Sequence, residues 1–417
     1  MNRLLFLGFL SLLSFSACKS NSDSTEIESV ATVTQVNFPK VSAPIQITKN
    51  GKEHFFASYY GINSFSENQK YATVLETDIK DRLPLENEAA TLGLVNIETK
   101  EFEPLTTTRA WNFQQGCMAH WLGTSPDSLI IFNDMRNGKY VSVILNVHTK
   151  DEVRIIDKPV SAVSADGKQA ISINFSRLSI TRKGYGYAGE GQDPQKDVQS
   201  PENDGLFLID LAKGKSKLIV TINQVVDKIH EFNADDLVYF NHTLISRDGS
   251  KVFWLARTLP SWRTTALTAN MDGTNIQRCF PDDWGGSHFD WLNGDQLMVT
   301  AKFDAAQYGH ILFTPGQADY TRLGKGLLDY DGHGTFSPDG KWMVTDTYPS
   351  KNREQKIYLM DMETEAVLPI GRFMEPEEYK GDWRCDIHCR WSPKGDIIGF
   401  NSTHGGSRQV YILKLED

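Results

Sequence analysis

The chain predicts an all-β fold, a seven-bladed β-propeller of four-stranded antiparallel blades. Three observations carry that expectation. A turn of the Ser-x-Asp-Gly type recurs seven times, starting at Ser66, Ser125, Ser164, Ser246, Asn293, Ser337 and Ser392. Most intervals between these turns are close to the ~40–50 residues of one four-stranded blade. The turns are flanked by alternating β-branched and aromatic runs, with no long amphipathic helical stretch to compete.

The elements follow in order. The turn is cleanest at Ile245–Gly249, Phe336–Gly340 and Trp391–Gly395. Apolar strands follow at Ala170–Ile173, Lys251–Trp254, Trp342–Val344 and Ile397–Phe400. Later strands are expected at Gly93–Thr99, Leu206–Leu211, Ile357–Met362 and Val410–Leu413. The interval from Ser164 to Ser246 is about twice the others. It reads as one blade with an insertion over roughly Arg177–Asp204, and an eighth blade is the alternative. The last blade lacks an outer strand. Pro44–Thr48 alternates like a strand and is expected to supply it, which would close the ring without an exposed edge. The propeller is thus placed at 44–417.

The N-terminal residues do not belong to that fold. Arg3 gives a positive start, Leu4–Phe15 an apolar run too short to span a bilayer, and Phe15-Ser16-Ala17-Cys18 a small-residue cleavage site. Residues 1–18 resemble a bacterial lipoprotein signal, with Phe where Leu is usual. The resemblance implies export to the periplasm or cell surface and a membrane anchor through lipid on Cys18. A plain signal peptide with a Cys near its end is the alternative. Residues 19–43, polar and Ser-rich, read as a flexible tether.

A net charge of −10 argues against a nucleic-acid partner. It also means that an anionic substrate would need a local basic pocket. The protein is expected to be a monomer. Cys117, Cys279, Cys385 and Cys389 remain after the signal, and disulfides compete with a metal role for Cys385 and Cys389, which flank His388.

Five of the ten histidines recur at one place in the repeat. His242, His333 and His388 each stand four residues before the turn serine. His120 and His288 stand five residues before the looser turns at Ser125 and Asn293. Equivalent positions of a cyclic repeat converge on its axis, so these imidazoles are expected at one end of the channel. Neutral imidazoles are the commonest transition-metal ligands. His288, His333, His388 and Cys385 are therefore the expected set for Zn²⁺ or Mn²⁺, with Asp331 and Asp386 at the same mouth as carboxylates or turn formers. Packing plugs in a narrow channel are the alternative.

The insertion carries Arg182, Lys183, Tyr185 and Tyr187 around two glycines, a cationic aromatic loop on an acidic protein. Arg can neutralise a carboxylate, and Tyr can stack on a sugar ring or move a proton. A second cluster, Arg109–Gln115, leads into the segment with His120 and can share the rim.

The repeat, matched fully at Ser337–Lys341, is similar to the TolB-type, WD40-like propeller over about residues 45–417. Together with the pre-turn histidines and the Arg/Tyr loop, it resembles the propeller polysaccharide lyases, the oligogalacturonate and ulvan lyases. That resemblance implies β-elimination on a uronic-acid-containing polysaccharide or oligosaccharide, with a divalent metal on histidines. On it, His242 or His120 is expected as base, Tyr187 as acid or shared acid and base, and Arg182 as neutraliser, with Tyr185 in the same catalytic set. The Gln metal ligand of the oligogalacturonate lyases has no evident counterpart. A non-catalytic TolB-like propeller that binds glycans or envelope proteins is the other expectation.

Overall fold

The computed structural model describes residues 37–188, 193–280, 284–304 and 307–416. The expected signal, Cys18 and most of the tether lie outside these residues. Among the described residues no helix is long and apolar enough to cross a membrane.

Seven antiparallel sheets follow one another along the chain, so the seven-bladed propeller is the architecture. The innermost strands are Glu53–Phe56, His120–Trp121, Ala162–Val163, Leu237–Ile245, Gly285–Trp291, Thr335–Phe336 and Arg390–Trp391. Each blade runs outward from there in sequence order. The seventh is completed from the other end of the chain. Ile45 and Gln46 pair with Ile412 and Tyr411, and Ile47 donates its N–H to Val410. Pairing begins before the expected start at 44, because Lys40 and Val41 already lie beside Glu416 and Leu415.

The repeated turn has a simple cause. Ser337 Oγ donates to Asp339 (2.6 Å) and accepts from the N–H of Trp342 (3.0 Å). Gly340 takes the left-handed φ of 74° that closes the turn. Between blades, apolar clusters interlock and indoles bridge: Trp391 Nε1 donates to Thr335 O and Trp121 Nε1 to Ser64 O. All four cysteines of the described residues are buried and free, so no disulfide staples the ring.

The long interval is an insertion and not an eighth blade. It leaves after the strand Gln169–Ser172 and returns at Gly205–Asp210, two neighbours in one sheet. Its helix, α1 (Phe175–Thr181), is capped by the side chain of Asn174, which accepts from the N–H of Arg177. The buried Arg177 guanidinium donates to the carbonyls of Val238, Gln195, Val198 and Gln199 and pairs with Asp193. That fan ties the insertion to blade four.

Candidate active site

The histidines meet because the inner strands bulge at the same step. In blade four the register jumps between Asn241 and Leu244, and in blade five between Gly286 and Phe289. An extra residue in a strand re-aims its side chain. Here it turns His242 and His288 into the channel. His242 and His388 both hold a φ of 53°, a left-handed conformation uncommon for residues other than glycine.

Four of the five expected histidines come together. The His288 and His333 rings lie 4.0 Å apart and those of His333 and His388 4.4 Å. His242 stands on the far side of Tyr59, whose ring is 5.2 Å from both His242 and His388. His120 is elsewhere. The backbone bond that opens the Ser-type turn is made by Leu122 in blade two and by Leu292 in blade five. Four residues back from these stand Met118 and His288, so the shared position in blade two is Met118, also at φ 53°. His120 faces the turn-bearing mouth, in a cavity of about 450 Å³ with Trp121, Ser164 and Ser392. Its Nδ1 is bonded to Met118 O (2.7 Å), and burial lowers its pKa to about 4.

One half of the site is rich in carboxylates. Among the described residues the Nε2 atoms of His333 and His388 have no hydrogen-bond partner. Ligand atoms of His333, His388 and Asp386 lie within 4.8 Å of one another. Asp346 builds this pair: one oxygen accepts from Nδ1 (2.8 Å) and the N–H of His333, the other from the N–H of His388. The open nitrogens therefore face the channel while the opposite nitrogen of His333 is held, an arrangement suited to a metal ligand. Asp386 also pairs with Arg384 (2.8 Å).

Cys385 is not in this cluster. After the single turn Gly381–Trp383 the chain is extended, so alternate side chains share a side. Arg384, Asp386 and His388 face the site, while Ile387 and Cys389 pack in the core. The Cys385 thiol is buried and its pKa pushed up to about 12 by that burial.

His288, the third expected histidine ligand, has a partner at each ring nitrogen. Its Nδ1 is 3.0 Å from Asp331 and its Nε2 3.2 Å from the Tyr348 hydroxyl. Asp331 fixes the tautomer with the proton on Nδ1, leaving Nε2 to accept from the phenol. The result is a carboxylate–imidazole–phenol chain beside the cluster. Burial, then the neighbouring His333, lowers the pKa of His288, so the ring stays neutral. Burial, then Asp386, raises that of Tyr348.

The other half is cationic. Arg182 lies over the Tyr185 ring, 4.8 Å away, and Tyr185 meets the edge of His242 at 5.3 Å. Burial, then Arg257 and Arg182, drives the pKa of His242 well below its usual value. Tyr187 turns the other way. It stacks on Phe175 (4.5 Å), and its hydroxyl accepts from Asn133. The expected rim cluster does meet the tyrosine loop, through Asn112 donating to the carbonyls of Tyr185 and Gly186.

Four residues of the floor escape the repeat logic. Residues between Ala57 and Phe65 loop out of the inner strand of blade one. There Tyr60 crosses the channel, accepting from Phe289 N–H (2.8 Å) and packing 5.0 Å from His333. Tyr59 sits beside it, its hydroxyl unpartnered. Tyr348 and Arg257 come from second strands and their loops. No sequence period marks such positions.

No family model matches the chain, and no curated protein matches it in sequence. Solved structures do match. An oligogalacturonate lyase from Vibrio parahaemolyticus is 13% identical with a TM-score of 0.63, over 91% of this chain and 98% of that one. An oligogalacturonate lyase in complex with manganese is 14% identical with a TM-score of 0.66, over 92% and 99%. A prolyl endopeptidase is 10% identical with a TM-score of 0.51, over 87% of this chain and 47% of that one. At these identities the likeness is one of fold, which hosts more than one chemistry.

Proposed function

We propose that this protein is a metal-assisted lyase that cleaves a uronic-acid-containing oligosaccharide by β-elimination. One observation carries the proposal: the unpartnered Nε2 atoms of His333 and His388 converge with Asp386 beside the Asp331–His288–Tyr348 chain. Two imidazole nitrogens and a carboxylate oxygen suit Zn²⁺ or Mn²⁺, and a similar fold is known with manganese. A divalent ion bound there would withdraw charge from the sugar carboxylate and acidify the neighbouring C–H.

The remaining chemistry belongs to the side chains. His288 Nε2 takes the proton from C5 of the uronate, and Asp331 stabilises the imidazolium. The C4–O bond breaks as the C4–C5 double bond forms. Tyr348 gives its proton to the leaving oxygen. The imidazolium then returns a proton to the phenolate, so none is gained or lost overall. His242, one of the two bases expected from the sequence, stands with Tyr185 in the cationic half, where the two orient the sugar with Arg182. We also propose that the chain is exported and lipid-anchored at Cys18. Metabolic labelling with a tagged fatty acid, lost on Cys18→Ser, tests that step.

The reaction is tested by incubating the purified protein with uronic-acid oligosaccharides and Mn²⁺ or Zn²⁺. New ultraviolet absorbance from an unsaturated product, abolished by chelator, is expected. No product with any acidic oligosaccharide and any divalent ion would remove the lyase and leave the TolB-like binding propeller in its place.

A further inference from the structure

The two guanidiniums of the cationic half have a feature that the proposed reaction does not use. Arg257 is only 7% exposed, and among the described residues Nε of both Arg257 and Arg182 has no hydrogen-bond partner. Burial, followed by the charge of Arg182, lowers the pKa of Arg257. Among the described residues no carboxylate pairs with either. Two further hydroxyls are buried and without a partner among the described residues: that of Tyr239, which pairs with Arg257 across neighbouring strands, and that of Tyr59, whose ring lies 6.3 Å from Tyr185 under Arg182.

The other deeply buried arginines each donate several hydrogen bonds, although Arg390 Nε and Arg408 Nη1 are left open among the described residues. Arg177 fans onto four carbonyls, Arg390 donates to Ser58 and Ser64, and Arg408 to the carbonyls of Trp383 and Arg384. Their places in the fold are structural. Burying like charges side by side without a counter-ion is costly, and four unpartnered polar groups at one spot add to that cost.

We propose that Arg182 and Arg257, with the hydroxyls of Tyr59 and Tyr239, form a carboxylate seat that works without metal and is separate from the histidine cluster. Arginine binds a planar carboxylate through paired N–H groups, and the phenols donate to the remaining lone pairs. His242 closes the seat as a neutral ring. This deepens the lyase reading and rests on it for the nature of the ligand, a sugar carboxylate other than the one at the histidine cluster. The favoured ligand then carries two carboxylates, one for each half of the site.

The test is calorimetry on chelator-treated full-length protein with D-glucuronate as probe and D-glucose as control. Glucuronate should bind and glucose should not. Arg257→Gln should weaken glucuronate at least tenfold, Tyr239→Phe should weaken it by a smaller factor, and His333→Ala should leave it unchanged. The ligand-free Arg257→Gln protein should also melt at a higher temperature than wild type, since a repelling buried charge is gone; an arginine with a structural role would give a lower one. The seat is refuted if metal-free wild-type protein does not bind glucuronate, or if both Arg257→Gln and Tyr239→Phe bind it as wild type does. Glucuronate binding by a protein that forms no unsaturated product would remove the reaction and keep the seat.

Discussion

The two halves of the channel mouth use the same residue types in opposite ways. Around His333 and His388 the charges are supplied by Asp331, Asp346 and Asp386, and each imidazole is oriented by a carboxylate or held beside one. Around His242 the charges are guanidiniums, and no carboxylate among the described residues balances them. Tyr59 and Tyr60 stand between. A histidine at a repeated position thus takes its role from the neighbours its blade provides: a cation seat where carboxylates gather, an anion seat where arginines do.

That contrast can be broken by substitution. The largest effect is expected from His333→Ala or His388→Ala. Each removes a ligand, and product formation should fall by more than the ~10–100-fold typical of losing an outer-shell partner. Added Mn²⁺ should restore only part of it. Next come His288→Ala and Tyr348→Phe, which should lower kcat by ~10²–10⁴-fold, the usual worth of a general acid or base. Metal affinity should be unchanged, as measured by competition with a chromogenic chelator. A parallel fall in metal affinity would show His288 to be a ligand after all. Asp346→Asn comes third. Asp346 orients both cluster histidines, so metal affinity should drop by ~10–100-fold while glucuronate binding in the other half survives.

A smaller effect separates the halves by titration. Burial, with Arg257 and Arg182, depresses the pKa of His242, and burial depresses that of His120 to about 4. The unfolded chain then binds more protons than the folded one below the ordinary value of ~6.5. The stability these residues contribute is therefore present above that pH and is lost as pH falls towards their folded values, by about 1.4 kcal/mol per pH unit for each group. Arg257→Gln should raise the pKa of His242, seen by NMR of labelled histidine, and leave that of His120 in place. The smallest effect belongs to Tyr187→Phe, which should cost about 1 kcal/mol of stability through the lost Asn133 bond and leave turnover near wild type.

The fold was largely legible because a serine–aspartate–glycine turn records its own geometry in the residues that make it. Pro44–Thr48 could be read as the missing strand because it alternates and the last blade was one strand short. Three histidines could be placed because their offset from the turn serine is a structural constant, and His288 falls in with them because blade five opens its turn one residue earlier, at Leu292. His120 could not, since blade two opens its turn at Leu122 and lengthens it, which shifts the true equivalent to Met118. Cys385 and Asp386 exchange places by one step of an extended chain, a difference that only the local backbone decides. Tyr185 and Tyr187 part around Gly186, where an added Cβ would come within 2.2 Å of Ser179 N. Tyr59, Tyr60 and Arg257 left no trace, because a bulge and a second-strand position obey no repeat.

Manganese binding by electron paramagnetic resonance tests the division most directly. Loss of the free-ion signal on titration counts bound Mn²⁺ for wild type, His388→Ala and Arg257→Gln. One ion per chain is predicted for wild type and Arg257→Gln, and none at the same concentrations for His388→Ala. Equal binding by His388→Ala, or a loss in Arg257→Gln as large as in His388→Ala, would contradict a site split into a metal half and an anion half.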